Sequence, residues 1–374
     1  MKVLYIGHYR ESTGWAKAAI DYILAMDSVG IDIACRNVTL TGREGTVPPK
    51  ILELENKSID DCEVCIQHVL PHHLIGTGKF KKNIAFFVCE SSSIKTIPWF
   101  THLHQMDEVW VPNTQMWDSL IKDGLCVPNS VKVVPHTFDM SAYKKSAAQI
   151  QIDEVHSKFK FYYIGDLNAR KNLQAILRCF HSEFEPSEQV ALVLKVKKFG
   201  HTPEQVSEIV TNMSASIKQS LRMFPEVAQY HREVIISDEV DDKAIRDIHN
   251  YCDCFICPSH GEAWSIPSFN AMAHGKTPIC SKFGGPKDFI DPNDKSTGWC
   301  VDGSYGVCTC PDAAFPEIFT GREEWFIPSE SEIKKAMRYY FDNRSEINRK
   351  AGKKRAESYS YEVIGNKIKD LLNV

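Results

Sequence analysis

An α/β fold of two doubly wound domains is what this sequence predicts, and three observations predict it. Short β-type runs alternate with helical ones from end to end, the pattern of parallel sheets covered by helices on both faces. The 374 residues exceed what one ordinary domain of roughly 100 to 200 residues holds. The alternation breaks once, after Asp139, at the polar segment MSAYKKSAAQIQIDEVHSK, which carries no buried strand. Domains are therefore expected over 1–145 and 159–355, with a linker at 146–158 and residues 356–374 as a separate helix.

The elements follow in order. KVLYIGHY reads as a first strand, then a Gly-containing loop from Glu11 to Gly14, then a helix with Trp15, Ala18, Ala19, Tyr22, Ile23 and Met26 at helical spacing. Strands IDIACRNV, EVCIQHV, NIAFFVC, EVWVP and VKVVPH come next, and the helical run Thr114 to Lys122 is stopped by Gly124. In the second half, strands KFYYIGD, VALVLKV, EVIIS, CDCFICPS, TPICSKF and GWCVD alternate with helices starting near Asn172, Pro203, Asp242, Ile266 and Ser331. The stretch from Tyr305 to Ile327 has Pro, Gly and Cys without periodicity and reads as a long loop. Ligands of open α/β sheets bind beyond the carboxyl ends of the strands, so the loops that follow strands are where chemistry is expected.

Composition narrows the class. With 43% hydrophobic and 25% charged residues the chain reads as globular, and a net charge of −4 lacks the basic excess of dedicated nucleic-acid binders. No apolar run approaches the ~18 to 20 residues that cross a bilayer, so no integral membrane contact is expected. The opening MKVLYIGHYRE turns polar too soon for a signal-peptide core, and the expected location is the cytoplasm. Thirteen cysteines raise the question of zinc, yet no second CxxC or HxxxH lies at finger spacing, and most sit in apolar strands as small hydrophobes. His68, His72 and His73 have only Glu63 as a nearby carboxylate, so no metal site is expected there either.

The stretch PSHGEAWSIPSFNAMAHGKTPICSKFGGPKDFI is the most specific feature. It resembles the donor-site signature of retaining glycosyltransferases of the family 4 type (glycosyl transferases group 1). Glu262 takes the first glutamate of the two-glutamate motif, Trp264 the aromatic, Pro267 the proline, and Gly284 with Gly285 the closing pair. Asn270 departs, standing where the second glutamate belongs. VKVVPHTFD resembles the closing segment of that family's first domain, and GDLNARKN its loop with the phosphate-binding lysine, here Lys171. The family's arginine position holds Asp166, so that role passes to Arg170 or is lost.

The resemblance implies the GT-B fold, two Rossmann-like doubly wound domains facing a cleft, with the helix at 356–374 crossing back to the first. It implies a nucleoside diphosphate sugar as donor, UDP- or GDP-linked, and no cofactor. It also implies transfer with retention, the leaving phosphate oxygen taking the acceptor proton on the same face. The acceptor is open among a glycan, a lipid and a modified DNA base. The last stands because GHYRESTGWAKAAIDYI resembles some phage-encoded glycosyltransferases, which would place the chain in a host cytoplasm. A noncatalytic sugar-nucleotide-binding protein is the other reading, suggested by Asn270 and Asp166.

Each match has a physical reason. Sugar transfer builds negative charge on the departing diphosphate, which cations or helix amino termini can stabilise. Arg170 and Lys171 lie in a strand-to-helix loop, and Ala263, Trp264, Ser265 and Ile266 are expected to open a helix whose free N–H groups add to the field. Asp-x-Asp, the metal-holding pair, occurs nowhere, so metal-independent transfer is expected. Glu262 suits donor-sugar hydroxyls, and Asn270, two helical turns on along the same helix, suits ribose hydroxyls or simply faces solvent. Gly165 and Ser237 complete the donor side. Gly14 either lets backbone approach a ligand or serves an ordinary turn. His8, Arg10, His68 and His136 are acceptor-side candidates. Glu90, after strand NIAFFVC, joins Glu262, Lys171 and Arg170 as a catalytic candidate, or is a helix-start carboxylate. The basic run Arg349, Lys350, Lys353, Lys354, Arg355 is a solvated helical face or, on the sharper reading, a polyanion contact.

Overall fold

The computed structural model describes residues 1–144, 152–311, 313, 315 and 317–373; the first part of the expected linker, 146–151, lies outside the described residues. The chain divides into two compact units, Met1–Lys144 with Glu357–Val374, and Lys145–Ala356.

Unit 1 carries a six-stranded sheet of β1 (Lys2–Gly7), β2 (Asp32–Asn37), β3 (Val64–His68), β4 (Lys82–Phe86), β5 (Glu108–Val111) and β6 (Val131–Val133). The order is β2-β1-β3-β4-β5-β6 and every pairing is parallel. Its helices are α1 (Gly14–Ser28), α2 (Pro49–Glu55), α3 (Thr114–Lys122) and the short α4 (Met140–Lys144). Thr13 caps α1, its hydroxyl accepting from the Ala16 N–H at 3.2 Å, and α1 buries Ala19, Tyr22, Ile23 and Met26. Asn113 caps α3, and Gly124 takes a φ of 71° just beyond its end.

Unit 2 repeats the plan with β7 (Phe159–Asp166), β8 (Val190–Lys197), β9 (Val234–Ile236), β10 (Cys254–Cys257), β11 (Ile279–Ser281) and β12 (Trp299–Val301). They form a parallel sheet in the order β12-β11-β10-β7-β8-β9. Read from β9, that is the 3-2-1-4-5-6 order of a doubly wound sheet, with its reversal point between β7 and β10. Helices α5 (Leu173–Glu183), α6 (Pro203–Leu221), α7 (Asp242–Tyr251), α8 (Ile266–Ala273) and the one-turn α9 (Pro286–Phe289) link these strands. The core packs Phe161, Phe180, Leu192, Leu194 and Ile256 against Met337 and Tyr340.

The long loop expected from Tyr305 to Ile327 is instead largely an antiparallel hairpin, β13 (Gly303–Thr309) with β14 (Thr320–Pro328). Two features hide it from periodicity. The register shifts between Val307 and Thr309, and β14 buries consecutive Trp325 and Phe326, so neither strand alternates cleanly. Then come α10 (Glu330–Asp342), α11 (Arg349–Glu357) and α12 (Tyr361–Leu372). α12 belongs to unit 1: the Tyr361 hydroxyl donates to Asp21 at 2.6 Å, and a Cβ added at Gly365 would lie 2.5 Å from the Ala25 carbonyl oxygen on α1. All thirteen cysteines are free thiols. No helix among the described residues is long and apolar enough to cross a membrane.

Candidate functional site

At the reversal point of the second sheet, the loops after β7 and β10 meet. After β7, Asn168 caps a single 3₁₀ turn, Ala169–Lys171, its side-chain oxygen accepting from the Lys171 N–H at 3.1 Å. Asn172 then takes left-handed backbone, φ 56°, and its side-chain N–H donates to the Pro258 carbonyl at 3.0 Å, fastening this loop to the one after β10. The second loop returns the contact. The His260 N–H donates to the Arg170 carbonyl at 2.8 Å, the Ser259 hydroxyl donates to the same oxygen, and the Arg170 guanidinium donates to the Gly261 carbonyl at 2.6 Å.

This double fastening brings three predicted residues together. The Lys171 ammonium lies 2.6 Å from the Glu262 carboxylate, and the Arg170 guanidinium 3.5 Å from it. Glu262 is buried, which by itself pushes its carboxyl up; Lys171 and Arg170 outweigh that and hold it below the usual carboxylate range. The cluster therefore holds two cations and one anion, a net positive charge at the carboxyl ends of two central strands.

The rest of the motif is shaped by close packing. Gly284, at φ +67°, lies against Glu262 so closely that an added Cβ would overlap the Glu262 carbonyl oxygen. At Gly285 a Cβ would fall 2.6 Å from the Trp264 Cα, and the Gly285 N–H donates to the Ala263 carbonyl. Trp264 packs against Phe269 and Phe289 as core. One expectation needs correcting: Glu262 and Asn270 do not share a helix. Ser265 adopts left-handed backbone, φ 64°, and α8 begins only at Ile266, so Ala263 and Trp264 lie in the loop and Asn270 lies one turn into the helix, half-buried. The Ser265 hydroxyl is spent on that of Ser268, at 2.6 Å.

Two other donor-side candidates are engaged in packing and in a hydroxyl pair. Gly165 makes room for Tyr163, whose hydroxyl donates to the Asp166 carbonyl at 3.1 Å. The Ser237 hydroxyl meets that of Ser207 on α6, at 2.9 Å. The sequence reading missed Asn168, Ser259 and His260, which fasten the loops, and Lys195, a 5% exposed lysine on β8 near Asp166. Only Lys195 left a signal, a cation at an inward position of the otherwise apolar run VALVLKV.

In unit 1, His8 and Arg10 follow β1 and His68 ends β3, the two strands at the reversal point of the first sheet, while His136 comes after β6. His8 is buried beside Trp15 and its Nδ1 lies 2.6 Å from the Val38 carbonyl oxygen, an acceptor only, so Nδ1 carries the proton. A cavity of about 530 Å³ opens on the face of this sheet that carries Ile6 and Cys65, lined also by Val38, Gln67, His72 and His73. His68 is core, stacked on Phe86 and bonded through Nδ1 to the Tyr5 hydroxyl at 2.6 Å. His136 is buried 3.4 Å from the Asp21 carboxylate. Arg10 is turned to Glu55, which it pairs through two nitrogens. Glu90 is half-buried in the loop after β4, beside Cys89. At Gly14 nothing lies within 4 Å of an added Cβ. In the basic run of unit 2, Arg355 is committed to the Asp288 and Phe289 carbonyls and Arg349 to Asp253, while Lys350, Lys353 and Lys354 are exposed.

Burial, with His8 and His136 nearby, pulls His68 down to about 3. The unfolded chain protonates this imidazole near 6.5 and the folded chain does not, so stability is complete above that pH and lost as pH falls toward 3. At pH 5 the expected loss is about 2 kcal/mol. Thermal melts between pH 7 and 5 check it, with His68→Phe expected to show a shallower decline than wild type.

Residues 145–305 match the sequence family described as Glycosyl transferases group 1. No curated protein matches the chain. Among solved structures, Anabaena Alr3699/HepE in complex with UDP is similar over 100% of both chains at 14% identity and TM-score 0.66. Sucrose-phosphate synthase of Thermosynechococcus elongatus covers 100% of this chain and 98% of its own at 12% and 0.62. A trehalose-6-phosphate structure from E. coli, bound with UDP-2-fluoro glucose, covers 100% and 99% at 11% and 0.65. The chain therefore has the GT-B fold, two parallel sheets of Rossmann-like order. The family match falls within unit 2 and ends at the third residue of β13.

Proposed function

We propose that this chain is a glycosyltransferase that moves a sugar, with retention and without a metal ion, from a nucleoside diphosphate sugar to an acceptor hydroxyl. The observation that carries the reading is the cluster of Arg170, Lys171 and Glu262 at the reversal point of a sheet whose sequence matches the glycosyl transferases group 1 family. Fixed cations there suit a diphosphate, and the Glu262 carboxylate, ionised and held within 2.6 Å of Lys171, suits sugar hydroxyls beside it. Similar folds hold UDP and UDP-glucose, which makes UDP the first nucleotide to try. In the step itself the bond from the anomeric carbon to the phosphate oxygen breaks with its electron pair going to phosphate. The acceptor oxygen bonds the same face and its proton passes to that leaving oxygen.

Melting-temperature shifts with UDP, GDP and ADP, alone and as sugar conjugates, test the donor reading, since a ligand of the folded state raises the midpoint. UDP release from UDP-glucose distinguishes an enzyme from a binding protein, and the early anomer of the freed glucose, read by NMR, tests retention. That release is expected to survive EDTA; abolition with rescue by manganese would refute fixed-cation chemistry. Salt-dependent binding of duplex DNA would instead favour a DNA base as acceptor.

Asn270→Ala is expected to weaken nucleoside diphosphate binding by about 0.5 to 1.5 kcal/mol, the worth of a neutral hydrogen bond, while Asn270→Glu keeps or tightens it. Calorimetric titration of the unreactive diphosphate isolates this from chemistry. Wild-type binding by both variants would place Asn270 away from the donor.

A further inference from the structure

The hairpin that the sequence hides has an unusual attachment. An isolated two-stranded ribbon is marginally stable, so β13–β14 must be held from outside. Phe326 is paired in register with Tyr305, yet its N–H and C=O both turn away from β13 to a single residue, His260. The Phe326 N–H donates to the His260 carbonyl at 3.0 Å, and His260 Nδ1–H donates to the Phe326 carbonyl at 2.9 Å. The imidazole also lies flat on the Trp325 indole, 5.2 Å between centroids and 8° between planes. Trp325 is 3% exposed, and its indole N–H has no hydrogen-bond partner among the described residues, so ring contact is what holds it. His260 meanwhile gives its own N–H to the Arg170 carbonyl, and Glu262 lies two residues further on.

We propose that the β13–β14 hairpin is a clamp on the donor loops, with His260 and Trp325 as positioning residues that hold Arg170 and Glu262 in place. The inference rests on the donor reading above but concerns a part of the chain almost wholly beyond the family match. His260 stands at the crossing of three backbones: the loop after β7, the loop after β10, and β14. Its side chain ties β14 to this crossing through the Nδ1–H bond to the Phe326 carbonyl and the ring contact with Trp325, so substituting it leaves the hairpin held to the donor loops there by the main-chain bonds alone.

The experiment combines two readouts on Trp325→Ala, Trp325→Phe and His260→Ala. Hydrogen exchange, which needs no ligand, is expected to speed about tenfold or more at amides 259–262 and 169–172 in both alanine variants. Strands β7 and β8 should keep wild-type protection, and Trp325→Phe, which preserves a stacked ring, should stay close to wild type. UDP and GDP are then titrated separately, and whichever binds wild type is expected to bind the alanine variants about three- to tenfold more weakly. Unchanged exchange in those loops, or loss of protection spread evenly over β7 and β8, overturns the clamp. If neither nucleotide binds wild type while Lys171→Ala is equally silent, the donor reading fails, and exchange alone still decides the clamp.

Discussion

Replacing Lys171 by alanine is expected to lower UDP release from UDP-glucose about 10²- to 10³-fold, the usual loss when one preorganised charge is taken from a developing anion. Lys171→Arg should lose far less, since it restores the cation. The structure adds a second effect. Lys171 is also the nearest partner of a buried carboxylate, at 2.6 Å, and its removal leaves Glu262 with Arg170 alone at 3.5 Å. A stability loss of about 1 to 3 kcal/mol is therefore expected alongside the catalytic one. The two effects separate in the double variant Lys171→Ala with Glu262→Gln, which removes the uncompensated charge. It should melt nearer wild type and stay inactive. Recovery of activity in that variant would mean that Lys171 serves only to neutralise Glu262.

Gly284→Ala should produce the largest loss of stability. At φ +67° an alanine is strained whatever its surroundings, and here its methyl would occupy the space of the Glu262 carbonyl oxygen. Backbone cannot swing aside as a flexible side chain can, so the loop carrying Glu262 must move. A loss of about 3 kcal/mol or more is expected, a fall of roughly 10 °C in the melting temperature of a unit this size. Gly14→Ala is the contrast, because nothing lies within 4 Å of its added Cβ and the folded state should accept it. A Gly284→Ala variant that melts like wild type would contradict the packing of these two loops.

What could be read in the sequence followed from what chemistry leaves on single residues. Gly284, Gly285, Lys171 and Glu262 are few, fixed in type by close approach or charge, and so stood out. The six strands of each sheet were legible because a parallel strand buried on both faces is a continuous apolar run. The hairpin was not, since its residues answer to partners 11 to 25 residues apart in sequence and to His260, and a register shift erases its period. The break at Ser265 was missed for a local reason: one left-handed residue, which no composition signals reliably, moves Glu262 off the helix that follows.

The return of α12 to α1 has a consequence for how the protein is made. Translation delivers residues 1–144 first, yet the segment that completes their unit, with Tyr361 against Asp21 and Gly365 against Ala25, emerges only after the whole of unit 2. At about 5 to 20 residues per second, that interval is roughly 10 to 40 seconds. Through it α1 carries an uncovered apolar strip, and Asp21 lacks the Tyr361 hydroxyl that it accepts from in the finished fold. Unit 2, contiguous and synthesised second, has all its parts to hand by residue 356. The order in which the two units can finish folding is thus the reverse of the order in which they leave the ribosome.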